Sequence, residues 1–329
     1  MVDGLPPAHL TLTTVVPLQS ERARNALCLP AFRYQGVVLD PAGLRYSPHP
    51  DIIHPSVIET GPDWENPLAK YYMYYAPHDA PGGLCLALAD HPEGPWREYP
   101  HNPVIGHQWP PHYQVSHVCS PHAIWNPKAD CMFLYFHGEN DTTRYATSRD
   151  GVHFEYGDIA VTTQSFGPVL TEASYARVFR LQRDVGKGPY WMLLMGTLAG
   201  TRSVWQAWSV DGRRWEASPT PFITPPPGTD QMGPGWLFAW EGQDYLIAFA
   251  NRDDTPLYEP ISDLYLYAVR PGYSGVEFLG LFMDHTEVGP DNCRINDPCL
   301  LQTPERWYLF VNMGRRLHQS IALAVADLQ

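Results

Sequence analysis

The sequence predicts an all-β protein, a five-bladed β-propeller whose ring is closed by an N-terminal strand in the last blade. Three observations predict it. The chain is rich in Tyr, Trp and Phe (13% of 329 residues), holds 34 prolines and has few lysines, a mixture that favours strands and irregular loops over helices. Period-two runs of aromatic and β-branched residues, separated by turn signals, recur in five weakly similar units. The last unit ends one strand short, leaving an open edge that something must cover.

The first unit reads HPSVIE, KYYMYYAPHD and LCLALADHPEGPW, and the second SPHAIW, CMFLYFHGEND and TRYATSRDGVHF. The third is SYARVFRL, YWMLLMGTLAG and SVWQAWSVDGRRW; the fourth is GWLFAW, DYLIAFANRDD and LYLYAVRPGYSGVEF; the fifth is NDPCLLQ, RWYLFVNMGRR and SIALAVADL. Anchored at His54, Ser120, Ser174, Gly235 and Asp297, the units recur every 54 to 66 residues. Repeats of short antiparallel strands at such a period are a propeller signature, the longer units carrying longer loops. A tandem of immunoglobulin-like domains would not repeat so evenly. The Asp-Gly pairs of SRDGVHF and SVDGRRW suit tight hairpins between outer strands, where positive φ is needed. The segment 1–50 supplies the closing strand, from LTLTTVV (10–16) or from Gln35 to Leu39. No linker divides the units, since the Pro-rich PTPFITPPPGTD only joins the third to the fourth; one domain over 1–329 is expected.

A formal net charge of −13 with no Lys/Arg cluster argues against nucleic acid and anionic membranes as partners. The start, MVDGLPPAHLTLTTVV, has neither a basic n-region nor a long apolar h-region, so no signal peptide is expected, and no run of about 18 apolar residues marks a transmembrane helix. The six cysteines are scattered without a CxxC pair, which reads as free, mostly buried thiols in a cytoplasmic protein.

Propeller geometry then selects candidate site residues. Within a blade, the start of the first strand and the end of the second lie on one rim and converge on the central funnel, where propellers bind ligands. First-strand starts bring Asp51 and His54; His117, Ser120 and His122; Glu172, Tyr175 and Arg177; Asp230; and Arg294, Asn296 and Asp297. Second-strand ends bring His78 and Asp79; His137, Glu139 and Asp141; Arg202; Arg252, Asp253 and Asp254; and Arg315, Arg316 and His318. The opposite rim, with turns such as ETGPDWENP, NPKAD and TPERW, is poorer in such groups. Any one of these residues has an ordinary structural role open to it, capping a turn or satisfying a core. The set as a whole suits a polar small-molecule site.

HPSVI followed by YYMYYA and LALADHPEGPW, IWNP before FLYFHG, and INDPCLL before WYLFV resemble the five-bladed propeller glycoside hydrolases, such as families 43, 32 and 117. The resemblance spans residues 50 to 329. It implies the propeller fold and, in family 43, three carboxylates: an Asp before the first-blade Pro as base, a second-blade Asp and a third-blade Glu as acid. Here the first position holds His54, the second holds Ser120 before Pro121, and Glu172 stands near the third. SYARVF looks somewhat like the third-blade start of family 117, where a His is associated with the acid role.

Three functions remain open on the residues. In a glycoside-hydrolase-like enzyme acting on a small, polar, sugar-like substrate, Glu172 is the candidate acid and Asp297, Asp51 or His54 the candidate base. Arg177, Tyr175, His78, Asp79, Trp236 and Arg252 are the candidate substrate contacts, although Trp236 is more in keeping with core packing. In a metal-dependent lyase, isomerase or cyclase, His54, His122 and His318 would join Asp297 or Glu172 around a divalent ion, calcium or a transition metal. A non-catalytic carbohydrate-binding propeller is the third.

Overall fold

The computed structural model describes residues 27–183, 185–289 and 292–328. Among these, five four-stranded antiparallel sheets account for nearly all of the strands. From the axis outward, blade one is Ile53–Glu59, Tyr71–Ala76, Cys85–Ala89 and Arg97–Glu98, and blade two is Cys119–Asn126, Cys131–Gly138, Thr142–Ser148 and Glu155–Thr162. Blade three is Ser174–Arg180, Tyr190–Leu198, Thr201–Ser209 and Glu216–Ala217, and blade four is Thr229–Trp240, Gln243–Arg252, Ser262–Val269 and Val276–Met283. Blade five takes Ile295–Gln302, Arg306–Arg315 and His318–Asp327 from the end of the chain and Arg33–Leu39 from its beginning. The closing strand runs antiparallel from Arg33↔Val325 to Leu39↔Ile321, and Arg33 pairs with Asp327 at 2.5 Å. Of the two expected closing segments, the one at Gln35 to Leu39 forms this strand; LTLTTVV lies outside the described residues. No described helix is long and apolar enough to cross a membrane.

The middle strands read as unbroken apolar runs because blades pack face to face and bury both of their sides. Every residue of Tyr71–Ala76 is buried, packed with Leu84, Leu86 and blade-two residues Met132, Leu134 and Phe136 on one side and with Phe310 and Leu323 of blade five on the other. A buried phenol needs a partner for its hydroxyl, and here the partner lies in the next blade. Tyr74 Oη donates to Gly151 O at 2.6 Å, and Tyr135 Oη donates to Gly212 O at 2.6 Å. Both acceptors are the glycines of the Asp-Gly hairpins, at φ 73 and 76. Each hairpin is held by its own Asp: Asp150 Oδ1 accepts from Val152 N and His153 N, and Asp211 Oδ1 from Arg213 N and Arg214 N. The turns therefore latch blade one to two and two to three. Of the six free cysteines, Cys85, Cys119 and Cys299 are buried, Cys131 and Cys293 are half-buried and Cys28 is exposed.

Every innermost strand carries a bulge at the same level. Pairing with the second strand skips two residues between Ile53 and Ser56, Cys119 and His122, Ser174 and Arg177, Gly233 and Trp236, and Asn296 and Cys299. In four blades the first skipped residue is left-handed: His54 (φ 62), Ser120 (φ 56), Tyr175 (φ 56) and Asp297 (φ 50). Such a backbone costs a non-glycine residue roughly 1 kcal/mol or more, and it re-aims the side chain. Blade four has Pro234 there, whose ring forbids positive φ; Gly235 follows it, where a Cβ would collide with Ile247 O. Two of the sequence anchors thus shift by one residue. Tyr175 rather than Ser174, and Pro234 rather than Gly235, are the equivalents of His54, because Ser174 still pairs with Met195 in regular register.

Candidate active site

First-strand starts and second-strand ends enclose a cavity of about 850 Å3 at one end of the axis. Blade one contributes Ile53, His78 and Asp79; blade two His117, His137 and Asn140; blade three Tyr175, Thr197 and Arg202. Gln231 and Asn251 come from blade four, and Arg294, Asn296, Asp297, Arg316 and Gln319 from blade five.

Beneath the cavity lies a polar floor. His54 is fully buried, its ring edge-on to that of Tyr175 at 5.5 Å. Its Nδ1 stands 3.3 Å from Asp297 Oδ1, close enough for an ion pair but not aligned as a hydrogen bond, and neither ring nitrogen has a hydrogen-bond partner. Burial, reinforced by the Arg177 charge and only partly opposed by Asp297, lowers the His54 pKa to about 4, so the imidazole is neutral at physiological pH. Asp297 Oδ2 accepts from Asn312 Nδ2 at 2.5 Å. Burial pushes the Asp297 carboxyl up, but His54 and the guanidinium groups of Arg177 and Arg294 outweigh it and hold the pKa below the ordinary value.

Arg177 plugs the axis. From blade three its Nη1 donates to Pro55 O in blade one at 3.1 Å, and its Nη2 donates to Asp297 O in blade five at 3.2 Å. It also meets His122 Nδ1 of blade two at 3.5 Å and lies over the Trp236 ring of blade four at 5.5 Å. One side chain of blade three therefore touches each of the other four blades. Being fully buried, it is closed to a substrate.

On the wall, three residues form a line. Asp79 Oδ1 lies 2.6 Å from His78 Nδ1, and His78 Nε2 lies 3.2 Å from Tyr175 Oη. The pattern fits a His78 that donates from Nδ1 to Asp79 and whose Nε2 accepts from the phenol when the ring is neutral and donates to it when the ring is protonated. Burial raises the Tyr175 pKa well above its usual value, so the phenol keeps its proton. Burial also pushes Asp79 up, but the His78 hydrogen bond and charge, with Arg316 and His49, outweigh it and leave the carboxyl below the ordinary range. The Tyr175 ring stacks on His137, whose Nδ1 accepts from Tyr175 N.

Of the residues singled out from sequence, His78, Asp79, Tyr175 and Asp297 meet at the cavity, with His54 behind them. Glu172 does not line it: Ser174 Oγ, Thr197 Oγ1 and Arg202 Nε all donate to its carboxylate, at 2.9, 2.6 and 3.0 Å, so it acts as the anchor of Arg202. Asp51 is buried, accepts from Gln319 N at 2.7 Å and has its pKa raised by burial. Arg252 is tied to Asp263 at 2.7 Å, away from the cavity wall. Trp236 and His122 lie toward the other mouth of the ring, in a separate cavity of about 520 Å3. Val178 O accepts from His122 Nε2 at 2.7 Å, and burial depresses the His122 pKa. His318 is exposed in the Arg315–His318 hairpin, so His54, His122 and His318 do not come together. Among the described residues, no three His, Cys, Asp or Glu side chains gather to hold a metal.

Sequence reasoning passed over Leu257 and Tyr258, which line the cavity from a long loop of blade four. It placed Arg294 and Arg316 on the rim without giving them a role. The signal for Arg294 was available: a charge directly before INDPCLL, at the start of an inner strand.

No protein-family model matches the chain, and no curated protein matches it. Solved structures do. A glycoside hydrolase superposes with a TM-score of 0.66 at 11% identity, over 91% of this chain and 93% of that one. The chain has the fold of the five-bladed glycoside hydrolase propellers. An α-L-arabinofuranosidase from Podospora anserina, solved with cellotriose, matches at 0.61 and 10% identity, over 91% and 97% of the two chains. An N-acetylgalactosamine deacetylase from F. plautii, solved with blood group B trisaccharide, matches at 0.56 and 14% identity, over 91% and 94%. These neighbours carry more than one reaction on one fold, so the likeness shows the fold alone.

Proposed function

We propose that this propeller is a glycoside-hydrolase-like enzyme that acts on a small, polar, sugar-like substrate in the funnel by acid–base chemistry. The observation that carries the reading is the Asp79–His78–Tyr175 line on the cavity wall beside the Asp297 carboxylate. Cleavage of a glycosidic bond needs a proton for the leaving oxygen and negative charge near the developing cation. His78 is the proton carrier: with Nδ1–H held by Asp79, its protonated form gives the Nε2 proton to the leaving oxygen. The neutral ring then takes a proton from the water that adds to the cation, with the Tyr175 phenol as the adjoining O–H donor. Asp297, held ionised in the floor, supplies the opposing charge. The three-carboxylate arrangement does not apply, because His54 is buried and neutral, Ser120 replaces an acid and Glu172 is engaged by Arg202. The Tyr258 ring, 79% exposed at the mouth, is the stacking surface for a sugar.

The test is turnover of a panel of aryl glycosides and oligosaccharides by the full chain. On an identified substrate, His78→Ala and Asp297→Asn each lower kcat/KM by about 100-fold or more. Turnover indifferent to both variants, or sugar binding without turnover across the panel, would overturn the enzymatic reading, the second outcome favouring a binding module.

A further inference from the structure

Three described arginines are less than a tenth exposed: Arg144, Arg177 and Arg294. Arg144 donates from Nη1 to Gly138 O and Thr142 O, and Arg177 donates from both Nη groups to carbonyls. Arg294 is the exception. Its side chain has no hydrogen bond or ion pair among the described residues, its Nε is buried without a partner, and it lines the funnel. The backbone that holds it is well fixed: Asn292 Nδ2 donates to Arg294 O at 2.6 Å, and Arg294 bridges Ser262. A buried guanidinium left unpaired is costly, since charge removed from water must be matched nearby. Asp297, behind it, attracts it without bonding it.

Two further guanidinium groups face the same cavity. Arg202 is gripped through Nε by Glu172, which leaves its Nη groups without a described protein partner. Arg316 reaches the cavity from the end of the second strand of blade five with no described ion pair. In a chain of net charge −13, three arginines converge where ligand binds. The carboxylates set against them are Asp79, taken up by His78, Asp297, which faces Arg294 across the floor, and Glu172, engaged by Arg202 behind the wall. That balance admits one added negative charge more readily than two. The planar fork of a guanidinium matches a carboxylate through two parallel hydrogen bonds.

Resting on the sugar reading above, we infer that the ligand is a sugar acid whose carboxylate is received by Arg294, with Arg202 and Arg316 adding charge from the same cavity. The carboxylate completes the unpaired guanidinium, and the sugar ring extends toward His78 and Tyr175.

Calorimetric titration of the full chain tests this with D-galacturonic and D-glucuronic acids, D-galactose and D-glucose, and galactose 6-sulfate. At least one uronate is expected to bind about 10-fold or more tightly than its neutral counterpart, with an affinity that falls as salt is added. Arg294→Gln is expected to bring the uronate-to-neutral ratio close to one, and Arg294→Lys to fall between. Removing an unpaired buried charge should leave Tm unchanged or raise it; should Arg294→Gln nevertheless fail to fold, Arg202→Gln, at a more exposed site, is expected to cut the same ratio. Equal binding of uronates and neutral sugars would overturn the sugar-acid inference and leave the sugar reading standing. Preference for the sulfate would overturn the carboxylate. Binding of none of the five would count against both readings.

Discussion

His54 and Asp297 face each other across the axis from the first and last blades, 3.3 Å apart, each at the left-handed bulge of its inner strand. The pair makes the fold sensitive to acid. An unfolded histidine takes its proton near pH 6.5, whereas folded His54 takes it only near pH 4. Between those values the unfolded chain binds more protons, so the stability that His54 contributes is complete above about pH 6.5 and is lost as pH falls toward 4. The loss is on the order of 3 kcal/mol for His54, and His122 and His137, depressed by the same burial, act in the same direction. Thermal melts should show a lower Tm at pH 5 than at pH 7, with a shallower dependence in His54→Gln. A Tm that held or rose over that interval would contradict this.

Arg177→Ala removes the plug. It leaves Pro55 O and Asp297 O without their donors and opens a void where five blades meet. Urea unfolding should show a loss of roughly 3 kcal/mol or more. A loss below about 1 kcal/mol would mean that the blades hold the ring without it.

The latches at the blade junctions should be separable. Tyr74→Phe and Tyr135→Phe each strand one buried carbonyl and should each cost about 1–2 kcal/mol. They act at different junctions, so in the double variant the costs should add; strong non-additivity in denaturant titrations would show that the junctions are coupled.

Glu172 distinguishes anchoring from proton donation. As the anchor of Arg202 its change to Gln should raise KM by about 10-fold with a small effect on kcat, because a ground-state contact is loosened. A fall in kcat of about 100-fold, with loss of the basic limb of the pH profile, would restore Glu172 as the acid.

Tyr258→Ala should weaken sugar binding by about 10-fold, as expected for a lost stacking face. Because the ring is mostly exposed, Tm should not move. Unchanged affinity would remove the loop from the site.

The fold was largely legible because its determinants are local and repeated. YYMYYA and CMFLYFHG announce strands buried on both faces, and the missing fourth strand of SIALAVADL points to the N-terminal segment that supplies it. The rim rule likewise found His78, Asp79, Tyr175 and Asp297, since strand ends map to one side of a propeller by alternation alone. What failed was depth along the axis. Glu172, Arg177 and His122 sit near the same strand starts as the cavity residues, yet one turns to Arg202, one fills the axis and one bonds Val178 O. The last two outcomes depend on contacts between blades about 55 to 120 residues apart, and the first on a contact 30 residues away within blade three; period-two patterning within a strand carries no record of them.

The recurrent bulge has a consequence for how such a protein can change. The same two-residue bulge places His, Ser, Tyr, Pro and Asp at one level of the axis in five successive copies, with the pairing on either side intact. The scaffold works as a turret with five interchangeable mounts, tolerant of what each one holds. A single codon change at a mount can retire one chemistry and admit another while the ring that carries it stays as it was.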